Sequence, residues 1–189
     1  MRNHMFGFTL QESLFLGFCS LLILSTKLML RLHLKVPGHS MFFLILFLML
    51  AALCVRKRWS ATLAAGMAGL LGMFTGSGKL GPLGIVSYML PALVIDFCVP
   101  FLESHRKNLA FFAVAGLLAA AARAPISLFS EWMVGMDIQV LFMSTAIKTG
   151  GGMIFGALGA LPVPALLTKL EARGLLPANP KPDNSGANS

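Results

Sequence analysis

Residues 109–130 read LAFFAVAGLLAAAARAPISLFS, an apolar stretch whose only charged side chain is Arg123. An α-helix rises about 1.5 Å per residue, so this stretch is long enough to cross the roughly 30 Å hydrocarbon core of a bilayer. The stretch therefore predicts a transmembrane helix. Because a charge at membrane depth is costly, Arg123 is also the first candidate for a functional residue.

The composition of the whole chain is typical of a membrane protein. Hydrophobic residues make up 57% of the 189 residues and charged residues 12%, whereas a soluble domain carries about 25% charged residues. We expect an all-α integral membrane bundle of about six helices, forming a single transmembrane domain over residues 1–176, with short second and third spans. Residues 177–189 lack apolar periodicity and are predicted to be a disordered cytoplasmic tail. The apolar runs lie at about 10–30, 40–55, 59–75, 82–102, 109–130 and 140–168.

The distribution of basic residues predicts the orientation. Lys and Arg next to transmembrane helices are retained in the cytoplasm. With both termini inside, nine basic residues fall on the cytoplasmic side and four on the outer side, which favours an N-in, C-in arrangement. The inner set is Arg2, Arg56, Lys57, Arg58, Arg106, Lys107, Lys169, Arg173 and Lys181, and the outer set is Lys27, Arg31, Lys35 and Lys79.

Small residues spaced four apart form stripes on four of the predicted helices. In lipid such stripes let helix backbones approach closely. They serve either internal packing of the bundle or, for one of them, docking of a partner membrane protein, and the stripe on the first helix is the candidate for docking. The stripes are Ser13 and Gly17; Ala65 and Gly69; Gly116, Ala120 and Ala124; and Gly152, Gly156 and Ala160.

Polar and basic residues cluster toward the predicted outer half of the membrane. Together with a glycine-rich segment at 76–81, they predict an outward-facing basic pocket for a carboxylate or phosphate group. Each residue also has a structural alternative, such as internal pairing, snorkelling to the headgroups or a turn role. The predicted substrate-binding residues are His39, Ser40, Gly78, Lys79, Tyr88, Arg123, Lys148 and Thr149, with Phe74, Phe129 and Trp132 as further apolar walls.

Asp96 and the segment 72–80 are interpreted differently. Asp96 lies near the inner end of the fourth span, where satisfying a helix terminus or a basic neighbour is favoured over binding substrate. The segment GMFTGSGKL superficially resembles a P-loop, but Met73 replaces its first glycine and Leu80 replaces the Ser or Thr that holds magnesium. With no HExxH or GxSxG motif either, we expect neither an enzyme nor a resident metal or cofactor.

The chain resembles the substrate-binding S component of energy-coupling factor (ECF) transporters over about residues 8–175. The resemblance rests on size, six predicted spans with both ends inside, and the small-residue stripe on the first helix. It also rests on four segments: VPGHS at 36–40, GKLGPLG at 78–84, YMLPALVID at 88–96, and KLEARG at 169–174 after a glycine-rich sixth span.

This resemblance implies a binder that captures a vitamin or related micronutrient at the outer face of a prokaryotic cytoplasmic membrane. A separate transmembrane coupling subunit and cytoplasmic ATPase subunits would power uptake, and nucleic acid has no part in it. The docking motif of the family is Ala-x-x-x-Ala, and Ser13 to Gly17 is its nearest match here. The cobalt and nickel branch begins with Met-His, whereas this chain begins MRNH, so an organic anion is favoured over a metal.

Two other classes of protein fit the same sequence features. One is a self-contained secondary carrier, in which Arg123, Lys148 and Asp96 couple a substrate to ions. The other is a membrane scaffold subunit without a ligand, in which the charged residues pair internally.

Overall fold

The computed structural model describes residues 10–33, 39–55, 57, 59–75, 83–104, 108–135 and 137–173, and side chains at 30–33, 39 and 83 are outside this description. Within these ranges every regular element is an α-helix, which confirms the all-α prediction. The predicted tail at 177–189 lies outside the described residues. The helices are α1 (Leu10–His33), α2 (His39–Val55), α3 (Ser60–Phe74), α4 (Leu83–Ser104), α5 (Leu109–Ala121), α6 (Ala124–Met133), α7 (Ile138–Ala160) and α8 (Val163–Ala172).

Four helical segments are long and apolar enough to cross a membrane, which identifies the chain as a membrane protein. They are Leu10–Met29, Gly84–Ser104, Leu109–Met133 and Ile138–Ala172. The second and third predicted spans are indeed short, with α2 of 17 residues and α3 of 15. At about 1.5 Å per residue both helices are shorter than the roughly 30 Å core. Six crossings and the N-in, C-in orientation therefore stay predictions.

The fifth and sixth predicted spans are each broken into two helices, whereas the sequence analysis treated each as continuous. Pro125 lies in the first turn of α6, and proline can neither donate a backbone hydrogen bond nor fit against the carbonyl four residues earlier. The chain therefore leaves α5 after Ala121 and re-enters a helix at Ala124. Pro162 and Pro164 flank the break between α7 and α8 in the same way.

Helix α2 lies at the centre of the bundle. It contacts α1, α3, α4, α5, α7 and α8. Its sequence is apolar on all sides, which is typical of a helix surrounded by other helices rather than by lipid or water. The side chains of Ile45, Leu48 and Met49 have no exposed surface. This position explains how so short a helix is accommodated, since it does not have to match the bilayer by itself.

Glycines on α3, α5 and α7 bring neighbouring helices into close contact. A Cβ atom placed on Gly116 would lie 2.5 Å from the carbonyl oxygen of Gly156, and one on Gly159 would lie 2.4 Å from the carbonyl oxygen of Phe42 on α2. One on Gly69 would lie 3.1 Å from the Cα of Ile85 on α4. The three stripes on α3, α5 and α7 thus serve internal packing.

The stripe on α1 packs less tightly. Ser13 is exposed and Gly17 is half-buried. The nearest atom to a Cβ on Gly17 would be the terminal methyl of Met67, at 3.9 Å. Among the described residues, a Cβ at Gly17 would therefore meet only the end of a flexible side chain.

Asp96 of α4 caps the start of α3. Its Oδ1 accepts a hydrogen bond from the backbone N–H of Ala61 at 3.1 Å, and its Oδ2 accepts from the backbone N–H and the hydroxyl of Thr62 at 2.9 and 2.6 Å. The residue at the N-cap position, Trp59, supplies no side-chain cap and has a left-handed φ of 72°. The interpretation of Asp96 as a residue that satisfies a helix terminus is confirmed.

Replacing Asp96 with alanine is expected to lower the free energy of unfolding by about 2 kcal/mol, because two N–H groups at the start of α3 lose a charged acceptor. Equilibrium unfolding in mixed detergent micelles measures the change. Asp137→Ala is the matched control, since Asp137 occupies the N-cap position of α7 without a side-chain cap hydrogen bond. Equal stability of the Asp96→Ala and wild-type proteins would contradict the capping role.

Candidate functional site

A cavity of about 290 Å³ lies where α2, α5, α6 and α7 meet around Arg123. Arg123 occupies the break between α5 and α6, at the N-cap position of α6. Lys148 and Thr149 come from the middle of α7, and Ser40 comes from the first turn of α2. The lining residues are Ser40, Met41, Ala120, Arg123, Ala124, Ser127, Lys148, Thr149 and Gly152.

The cavity lies deep within the helical segments and not in the loops. Helices α6 and α7 are joined by a turn at Gly135, whose φ of 76° is readily adopted by glycine. Arg123 and Lys148 each lie about 20 Å from this turn along the helix axis. Both belong to segments that are candidates to span the membrane, Leu109–Met133 and Ile138–Ala172. The two cations are therefore placed at a depth where a charge needs a partner.

Arg123 has no carboxylate within ion-pair distance among the residues that the structure describes. One terminal nitrogen donates to the sulfur of Met41 at 3.5 Å. A thioether is a weak acceptor, whereas a guanidinium has five N–H donors. The side chain therefore retains strong donors for a molecule that enters the cavity.

Lys148 differs from Arg123 because it already has a counter-ion. Its ammonium donates to Oε1 of Glu131 on α6. The hydroxyl of Thr145 donates to the other oxygen of the same carboxylate at 3.3 Å. The side chain of Glu131 is only 12% exposed, so this ion pair ties α6 to α7 beside the cavity. Lys148 is thus paired across helices, whereas snorkelling to the headgroups was its predicted structural alternative.

Hydroxyl groups complete the polar part of the lining. Ser40, Ser127 and Thr149 all border the cavity. The Ser127 hydroxyl donates to the carbonyl of Ala124 at 2.9 Å, so its oxygen can still accept. Ser40 lies in the first turn of α2, where backbone N–H groups lack helical partners and the helix dipole is positive. With Met41 and Ala120 as apolar walls, the cavity suits an anionic group attached to an apolar body.

Half of the predicted site residues meet in this cavity. Ser40, Arg123, Lys148 and Thr149 line it together. His39 begins α2 but its side chain lies outside the described part of the chain, and so do Gly78 and Lys79.

Tyr88 does not border the cavity, although it lies near Arg123; it is buried and engaged with Lys27 of α1. Its hydroxyl accepts a hydrogen bond from the Lys27 ammonium, which is also 4.3 Å from the ring centroid. Phe74, Phe129 and Trp132 are exposed and do not line the cavity.

Sequence reasoning missed Ser127 and Glu131, although a signal for them exists. Arg123, Ser127 and Glu131 are spaced four apart, which places them on one face of a helix. The apolar run ends at residue 130, so Glu131 falls just outside the fifth span that the sequence predicts. The remaining lining residues, Met41, Ala120, Ala124 and Gly152, are small or apolar and carry no signal of their own.

A second cavity of about 430 Å³ opens at the opposite end of the bundle, where α1 and α3 begin. Two of its three charged groups already have structural roles: Lys57 pairs with Glu12 of α1 at 2.7 Å, and Asp96 caps α3. Its lining residues are Lys57, Trp59, Asp96, Phe97, Val99, Pro100 and Glu103. The Arg123 cavity is the stronger candidate for a ligand.

Two further searches add no candidate. Among the described residues, no group of three or more His, Cys, Asp or Glu side chains is placed to hold a metal ion. Comparison with protein-family models, with curated proteins and with solved structures found no match for this chain.

Proposed function

We propose that this chain is the substrate-binding subunit of an ECF-type uptake transporter. It captures a small anionic micronutrient or vitamin from the outer face of a prokaryotic cytoplasmic membrane. A separate transmembrane coupling subunit and cytoplasmic ATPase subunits then drive delivery. The observation that carries the proposal is the cavity at membrane depth in which Arg123 lacks a carboxylate partner among the described residues.

A cation in such a place favours a binding role. An unpaired charge in a low-dielectric site is costly. A bound anion would remove part of this cost, and the free energy gained would contribute to the affinity of binding. Arginine offers two parallel N–H donors to a carboxylate, and Ser40, Ser127 and Thr149 add hydrogen bonds from other helices. A site assembled from several helices fixes the orientation of a ligand that is otherwise apolar.

The outer surface of α1 supports a role for partner chains. Its exposed side chains include Leu10, Leu14, Phe18 and Leu21, beside the exposed Ser13 and the half-buried Gly17. A face with small residues between large apolar ones suits close packing of a second helix in lipid. We assign docking of the coupling subunit to this face, at Ser13 and Gly17.

The alternative of a secondary carrier is less well supported. It gave an ion-coupling role to Asp96, but this carboxylate accepts three hydrogen bonds at the start of α3, in the second cavity. Of the three residues in that proposal, only Arg123 and Lys148 border the candidate site.

The proposal is tested with the purified chain alone. After gentle solubilisation, mass spectrometry of released small molecules is expected to find one organic anion in the wild-type protein. Reconstituted alone into liposomes, the chain is expected to bind this molecule without accumulating it, whether a proton or a sodium gradient is applied. Gradient-driven accumulation by the lone chain would refute the proposal in favour of a carrier, and a protein that never carries a small molecule would favour a scaffold.

A further inference from the structure

The charged groups around the Arg123 cavity do not balance. Arg123 and Lys148 each contribute one positive charge, and Glu131, bound to Lys148, contributes one negative charge. No carboxylate of the described residues lines the cavity itself, and Glu131 enters the charge balance only through its ion pair with Lys148. The described residues therefore leave one uncompensated positive charge, and it belongs to Arg123.

From this imbalance we infer that the site selects a ligand with one negative charge, such as a single carboxylate, over a doubly charged phosphate monoester or dicarboxylate. The inference rests on the proposed function and narrows its substrate class. A single carboxylate satisfies Arg123 through two N–H donors and brings the net charge of the site to zero.

A doubly charged ligand would need Lys148 as its second partner. Glu131 opposes this, because its carboxylate holds the Lys148 ammonium and also accepts a hydrogen bond from Thr145. Its side chain is largely buried between α6 and α7. If the ligand displaced Glu131 from Lys148, the Glu131 carboxylate would be buried without its cation. If Glu131 stayed bound to Lys148, the second negative charge of the ligand would be unpaired. Both outcomes cost free energy that a singly charged ligand avoids.

The dimensions and apolar walls of the cavity further restrict the class of ligand that it can hold. Its volume of about 290 Å³ lies at the lower end of the range for small-molecule sites, which runs from about 300 to 1,000 Å³. Met41, Ala120 and Ala124 provide apolar surface next to the polar groups. The expected ligand is a small monocarboxylate with a compact apolar body.

Three probes with the same ring test the charge preference: phenylacetate with one negative charge, phenyl phosphate with nearly two at pH 8, and the neutral phenylacetamide. Protection against thermal unfolding in detergent is measured for the wild type and for Glu131→Gln, which keeps the size and hydrogen-bonding ability of the side chain. Asp137→Asn is the matched control, because it removes an exposed carboxylate on α7 that does not line the cavity.

We expect the wild type and Asp137→Asn to bind phenylacetate more tightly than phenyl phosphate. Glu131→Gln frees Lys148, so its relative affinity for phenyl phosphate is expected to rise by about tenfold or more. A wild type that prefers phenyl phosphate would overturn the inference and leave the proposed function intact. Protection by none of the three probes would overturn both. The wild-type preference alone decides the inference if Glu131→Gln does not fold.

Discussion

The Arg123→Ala protein is expected to purify as a folded, monodisperse membrane protein that has lost its ligand. Arg123 has no carboxylate partner among the described residues, so its removal takes away an unpaired charge and leaves no buried anion behind. Truncating one member of a desolvated charge pair between protein and ligand costs about 2–5 kcal/mol, so we expect affinity to fall by at least about 30-fold. Quantitative mass spectrometry of released ligand measures the loss.

Two control variants make this result specific. Arg123→Lys keeps the charge but loses the planar pair of donors, so its ligand content is expected to lie between those of the wild type and Arg123→Ala. Arg173→Ala removes an exposed arginine at the end of α8 and is expected to retain the full amount. Equal ligand content in Arg123→Ala and wild type would move the binding site away from this cavity.

Gly159→Leu is expected to prevent stable folding. A Cβ at this position would lie 2.4 Å from the carbonyl oxygen of Phe42 and 3.0 Å from its carbonyl carbon and Cα. These are backbone atoms of the central helix α2, so they cannot yield as a flexible side chain would. We expect a loss of more than about 3 kcal/mol, or aggregation on solubilisation. The measurements are size-exclusion chromatography and equilibrium unfolding in mixed micelles.

Gly66→Leu provides the control for the glycine prediction. Gly66 is also in a helix, but a Cβ placed on it would meet nothing within 4 Å. Because glycine disfavours helix by up to about 1 kcal/mol, this variant is expected to be as stable as the wild type or slightly more so. If Gly159→Leu unfolded at the same denaturant concentration as Gly66→Leu, close packing of α2 and α7 through Gly159 would be contradicted.

The sequence is sufficient to predict features that depend on local composition. Apolar runs identify the helices, and a charge inside such a run identifies Arg123 as a candidate functional residue. The break at residues 122–123 does not follow from Pro125 alone, because Pro91 and Pro100 lie inside the continuous helix α4. The predicted depth in the membrane places Ser40, Lys148 and Thr149 in one candidate site, and these residues do line one cavity.

What the sequence does not give is the direction in which each side chain points around its helix. Tyr88 was placed in the site on depth alone, but its hydroxyl is bound to Lys27. The stripes that contain Gly116, Gly156 and Gly17 have similar sequences. Only the contacts show that the first two pack against other helices and that the face around Gly17 is open. The pairing of Glu131 with Lys148 likewise depends on α6 folding back beside α7.

The position of α2 also bears on permeation. This helix starts beside the Arg123 cavity, and its residue Met41 lines the cavity next to Gly152 of α7. Beyond this point, the fully buried side chains of Ile45, Leu48 and Met49 fill the bundle over more than one turn of helix. Among the described residues, this packing closes the cavity toward the far end of α2. We therefore expect a solute held by Arg123 to reach the other side only when helices move relative to one another.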